Sequence, residues 1–134
     1  MKATAKNIQA VANIIENIKT RSAWSKGVKA YALEMLERFE EWRKYNEENG
    51  HELPTIDERT ALNGASDWDE WAYGGCGLVY DAYIAERLCT QSELRKTRGG
   101  MYPPTGASSW LLVEGRAARQ AWRLIAEAVR VVEA

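Results

Sequence analysis

Cysteine, histidine and phenylalanine are scarce in this chain of 134 residues, which holds two Cys, one His and one Phe. The two cysteines, Cys76 and Cys89, are too few for a disulfide framework, so reduced thiols and a cytoplasmic setting are expected. With His51 they do not make up the four ligands of a structural zinc site, and no paired spacing is present. No metal or other cofactor is expected. A Cys76–His51 nucleophile pair is satisfied in residue type only. A half-buried thiol and a loop histidine is the plainer reading.

Long apolar runs are also missing. None reaches the roughly 18 residues of a membrane span, so no membrane contact is expected. The opening MKATAKNIQAVANIIENIK carries acid and amide inside its apolar part and does not read as a signal peptide. Charge of one sign is missing too: 18 Lys and Arg stand against 19 Asp and Glu, for a net charge of −1. That balance excludes a strongly basic nucleic-acid coat and a strongly acidic DNA mimic. Gly74-Gly75-Cys76-Gly77 lacks the Lys and Ser/Thr of a phosphate loop and the spacing of a dinucleotide turn. No nucleophile elbow and no HExxH is found.

What is present is an ordinary globular balance, 46% hydrophobic and 28% charged, of a size to bury one core. The chain also has six Trp and six Tyr. Both suit positions with one apolar and one wet side.

Helical spacing dominates. Ile8, Val11, Ile15 and Ile18 recur at three and four residues and predict a helix over about 4–20, with Ala5 and Ala12 on the same face. Val28, Ala32, Met35, Leu36, Phe39 and Trp42 form the stripe of a second helix over about 26–48. Glu34, Glu37, Arg38, Glu41 and Lys44 take its remaining surface, and Glu34–Arg38 is a favourable i,i+4 pair. Asn49-Gly50 should end this helix. The pattern Thr55-Ile56-Asp57-Glu58 reads as a capping box, as does Thr90-Gln91-Ser92-Glu93. Ser66 is an N-cap for a third short helix. Residues 78–80 are ambiguous between strand and helix. The Gly- and Pro-rich stretch 99–107 is a loop. Ser108 or Ser109 then caps a long final helix over about 109–132, striped by Leu111, Ala118, Trp122, Ile125, Val129 and Val132. The expected fold is therefore all-α: a single compact helical domain with three long helices, and short helices with Gly-rich turns in 55–100.

Charge is unevenly placed along this frame. Residues 1–51 hold nine bases and seven acids, and residues 52–81 hold one base and seven acids. Residues 82–100 hold four bases and two acids, and residues 101–134 hold four and three. In the acidic centre, Trp68 and Trp71 share a helix face among Asp67, Asp69 and Glu70. They pack on the core, or they anchor a partner, for which Trp is well suited. Asp67 and Glu70 are also spaced as a carboxylate pair for acid–base or Mg²⁺ chemistry, with nothing further supporting it. Arg95, Lys96, Arg98 and Tyr102 around Gly99-Gly100 suit a phosphate or an acidic surface, or simply a solvated helix end. Arg116, Arg119, Arg123 and Arg130 fall on one side of the last helix, opposite its apolar stripe and interrupted by Glu127. Such a stripe tracks a phosphate backbone or acidic partner, and it is equally the outer face of any surface helix.

The run Trp71-Ala72-Tyr73-Gly74-Gly75-Cys76 through Tyr80-Asp81, then Ile84-Ala85-Glu86-Arg87-Leu88-Cys89-Thr90, Ser92-Glu93-Leu94 and Thr97-Arg98-Gly99-Gly100, resembles small uncharacterised proteins of phages and mobile elements of anaerobic gut bacteria. The resemblance spans roughly residues 66–122 and carries over no catalytic residue. It implies a small accessory protein that binds host machinery, CRISPR-type defence inhibitors being one such class.

Three readings follow. The first is a non-enzymatic protein that occludes a host protein or nucleoprotein complex through Trp68, Trp71, Tyr73, Arg95, Lys96, Arg98 and Tyr102. The second is a nucleic-acid-binding module using Arg116, Arg119, Arg123 and Arg130. The third is a small enzyme built on Asp67, Glu70, Cys76 or His51. A monomer and a homodimer both fit the sequence.

Overall fold

The computed structural model describes residues 1–56 and 116–134, with side chains from Arg119 onward in the second stretch. They form three helices: α1 (Ala5–Glu16), α2 (Ala23–Glu48) and α3 (Arg116–Glu133). No strand occurs among the described residues, only one isolated antiparallel bridge between Lys2 and Thr55. The architecture is all-α. The short elements expected between 57 and 100, and the start of the helix expected from 109, lie outside the described residues.

Residues 5–16 form α1 because both ends have a side chain to take the orphan backbone groups. Thr4 is the N-cap, and its hydroxyl accepts from the Asn7 N–H at 3.1 Å. The helix ends four residues before the expected 20. The backbone N–H and the side-chain amide of Asn17 both donate to the Asn13 carbonyl, and the Ile18 N–H turns back to Ile15. Asparagine competes with the helical ladder in this way. Lys29 of α2 completes the end, its ammonium donating to the carbonyls of Glu16 at 2.7 Å and Ile18 at 2.9 Å. A cation at a helix C-terminus is favourable, and α1 has no basic residue in its own last turn. We expect Lys29→Met, which keeps the stem and removes the charge, to lower stability by about 1 kcal/mol in urea unfolding. An unchanged midpoint would show that water serves those carbonyls equally well.

The second helix begins three residues earlier than the expected 26. Ser22 and Ser25 form a reciprocal cap, each side chain accepting from the other's backbone N–H. Ser at the third position is outside the usual Ser/Thr-x-x-Glu/Gln pattern. The C-terminus follows expectation. Gly50 has φ 68°, its N–H reaches the Glu47 carbonyl, and the His51 N–H reaches Asn46 at 2.7 Å. That is a Schellman closure, for which a left-handed residue is required.

The chain then folds back. The buried Asn46 side chain donates to the Glu52 carbonyl at 2.9 Å. The Ala3 N–H donates to Pro54 and the Ile56 N–H to Met1. Thr55 is bridged to Lys2 and Ile56 beside it is buried; the short helix expected to follow Thr55 lies outside the described residues.

One core joins the three helices. Ile8, Val11 and Ile15 come from α1, Tyr31, Leu36 and Phe39 from α2, and Ala121, Trp122 and Ile125 from α3. Each fully buried large apolar side chain contributes about 1.5–3 kcal/mol. Two contacts give the direction of α3. The Trp24 indole N–H donates to Gln120 at 2.6 Å, and Glu133 lies 3.4 Å from the Met1 amine. So α3 runs parallel to α2 and antiparallel to α1. No described helix is long and apolar enough to cross a membrane.

The sequence places Arg38 on the surface, and the structure corrects this. Arg38 is 6% exposed, with its guanidinium 3.0 Å from Glu34 and 3.6 Å from Glu41. The expected Glu34–Arg38 pair forms, but at the margin of the core.

Candidate functional site

The outer face of α3 is set by what its inner face buries. Ala121, Trp122, Ile125, Ala128 and Val129 turn inward at one-turn intervals. At 100° per residue, Arg119, Arg123 and Arg130 are then carried to the opposite side, and all three are exposed. They span about 16 Å along the helix axis. Between them lies a shallow hollow of about 230 Å³, lined also by Trp122, Ala126 and Glu127.

These arginines differ from those of α2. Arg38 is held by Glu34 and Glu41, and Arg43 by Glu40 and Glu47. The hydrogen bonds from Arg43 hold the Glu40 carboxyl below its usual pKa. By contrast, Arg119, Arg123 and Arg130 have no ion pair with any described residue. Glu127, four residues from Arg123 and three from Arg130, pairs with neither. Arg130 lies in the last turn, where the helix dipole favours a cation. Arg119 and Arg123 are a like-charged i,i+4 pair, an arrangement that weakens a helix by about 0.2–0.5 kcal/mol. Helix stability alone does not account for them.

Two other concavities are lined by described residues. One lies between α1 and α2, about 340 Å³, with Ile8, Ala12, Leu33 and Leu36 among its lining and Glu16, Glu37 and Glu40 along its edges. The other, about 590 Å³, is at the start of α1 beside Lys6, Arg43 and His51. Its polar groups are largely committed: Arg43 to its two glutamates, and His51 edge-on to Tyr45 at 6.1 Å between ring centroids.

Of the residues singled out from sequence, Arg119, Arg123 and Arg130 are brought together on one exposed face. The side chain of Arg116 lies outside the described residues. So do Trp68, Trp71, Tyr73, Arg95, Lys96, Arg98 and Tyr102, and the Asp67, Glu70 and Cys76 of the enzymatic reading. Among the described residues no group of three or more His, Cys, Asp or Glu side chains is placed to hold a metal.

Comparison with protein-family models, with curated proteins and with solved structures finds no match to this chain. The concavity between α1 and α2 was missed in the sequence. Its signal was there: Ala5 and Ala12, seven residues apart, put small side chains on the edge of a helix that otherwise buries isoleucine.

Proposed function

We propose that this chain is a non-enzymatic binding protein that engages an acidic protein surface through the arginine face of α3. The observation that supports this reading is that Arg119, Arg123 and Arg130 make no ion pair with any described residue, whereas both α2 arginines are paired. Guanidinium groups with free donor forks grip carboxylates in a bidentate manner. A shallow hollow floored by Trp122 and Ala126 adds an apolar centre to that charged rim, the usual anatomy of a protein interface.

An acidic protein is preferred over a nucleic acid as the partner. Net charge is −1 and pI about 5.9, and Glu127 interrupts the stripe. Nucleic-acid binding depends on neutralising many phosphates at once. The resemblance over residues 66–122 narrows the proposed partner to a host protein or nucleoprotein complex, CRISPR-type defence complexes among them, with occlusion as the mode of action.

The test is a pull-down from host lysate, with and without nuclease, using the wild-type chain and Arg119→Glu/Arg123→Glu/Arg130→Glu. We expect the wild type to retain a partner after nuclease treatment. The triple variant, with an unchanged circular dichroism melt, should lose at least about tenfold of it, since close charge pairs across interfaces contribute 1.5 kcal/mol or more. Equal retention by both proteins would exclude the α3 face. Loss of the partner on nuclease treatment would replace the reading by nucleic-acid binding.

A further inference from the structure

Two helical stripes edge the concavity between α1 and α2. On α1 they are Ala5, Gln9, Ala12 and Glu16, and on α2 Leu33, Leu36, Glu37 and Glu40. The antiparallel packing fixes their order. Lys29 sits against the carbonyls of Glu16 and Ile18, so Glu16 lies at one end, and Glu37 and Glu40 lie toward the other. The middle is apolar. Leu36 is buried, and Leu33 and Ala12 are half-buried. The alanines on α1 are too small to fill the space to α2, which leaves a trough about 16 Å long, or three helical turns.

The carboxylates at the ends are of two kinds. Glu40 is taken by Arg43 at 2.6 Å. Glu16 and Glu37 are exposed and have no ion pair with any described residue. Lys29 is engaged by backbone carbonyls and Arg43 by Glu40 and Glu47, while the exposed Lys44 acts on Glu40 at longer range.

We propose that this trough is a second docking site, for a basic amphipathic helix of a partner protein. An apolar floor calls for bulky apolar side chains at i and i+3 or i+4 of the occupant. Exposed carboxylates toward both ends, Glu16 and Glu37, call for Lys or Arg about one turn beyond them on each side. The arginine face of α3 from a second copy supplies the charge but not the filler. Between its arginines it offers Ala126 and Glu127, and its one large exposed apolar residue among those described, Val131, lies off the stripe. The occupant proposed is a different chain, with large apolar residues between its cations.

The proposal is tested by titrating the full chain with three synthetic helical peptides of about four turns. The first carries Leu at i and i+4 with Lys one turn beyond at each end. The second replaces Lys by Glu, and the third replaces Leu by Ala. Saturable binding is expected for the Lys/Leu peptide alone, below about 1 mM. Glu16→Gln with Glu37→Gln should weaken it about fivefold or more, and about 0.5 M salt should do likewise. Ala12→Phe, which fills the trough, should abolish it, while Arg119→Glu/Arg123→Glu/Arg130→Glu should leave it unchanged. If Ala12→Phe fails to fold, the glutamine pair decides the matter. Absence of saturation, equal binding of the Glu/Leu peptide, or indifference to the glutamine pair would overturn the proposal. Self-association of the chain that disappears in the glutamine pair would also overturn it, by giving the trough to a second copy.

Discussion

Replacing Phe39 by Ala is expected to remove about 3–5 kcal/mol of stability and to leave a large unfolded fraction at 37 °C. Phe39 is fully buried and is the only phenylalanine of the chain. Its ring stacks against Trp42 with centroids 6.0 Å apart. Truncation loses the transfer free energy of the ring and leaves a cavity that three helices meeting around it close only in part. Total stability for a domain of this size is about 5–15 kcal/mol, so the loss is a large share of it. Urea unfolding followed by circular dichroism gives the difference directly. Phe39→Leu, which keeps most of the volume, should cost clearly less. If both variants lost under about 1 kcal/mol, the three-helix core described here would not be the cooperative centre of the fold.

The second large effect comes from Arg38 and has an unexpected order. Its side chain is 7% exposed, whereas those of Glu34 and Glu41 are 20% and 36% exposed. Removing the charge with Arg38→Met keeps the packed stem and leaves two carboxylates that water still reaches. We expect that variant to cost about 1 kcal/mol or less. Glu34→Gln with Glu41→Gln removes both carboxylates and keeps the guanidinium where it is buried. A buried charge that loses ionic partners costs up to about 3–5 kcal/mol, and the amide oxygens of Gln recover part of that as hydrogen bonds. The double variant is therefore expected to lose about 2–3 kcal/mol, more than the arginine variant. Unfolding free energies in the opposite order would mean that Arg38 is held by its stem rather than by its acids.

Both results bear on how much could be read without the structure. The helices were legible because burial on one face leaves a periodic trace. Ile8, Val11 and Ile15, then Val28, Ala32, Met35, Leu36 and Phe39, then Trp122, Ile125 and Val129 follow that trace, and all are buried. The stop at Gly50 was legible because the left-handed closure of a helix selects for glycine. The outward face of α3 was legible for the same periodic reason, and with it the candidate site at Arg119, Arg123 and Arg130.

What was not legible depends on residues distant in sequence. The role of Lys29 was not legible, because the carbonyls it caps lie at the end of another helix. Arg38 read as surface, because a charged residue counts against burial until its two acids are seen beside it. The Ser22–Ser25 cap was passed over because the usual sign is an acid or amide at the third position. That Arg119, Arg123 and Arg130 make no ion pair with any described residue was equally hidden. Glu127 stands at pairing distance in sequence, yet in the structure it pairs with neither neighbour.

By itself, then, the sequence determined the class of the fold: period-3.6 burial, one glycine stop and the lack of long alternating runs point to an all-α fold. It also determined which side of α3 faces out. Tertiary structure decided which charges are engaged and which are free, and that small alanines on α1 leave a trough against α2. The physical reason is range. Helix formation and amphipathic burial are set by neighbours three and four residues away, and are written locally. Ion pairing, helix capping across elements and the gap between two helices depend on side chains brought together only when the chain has folded.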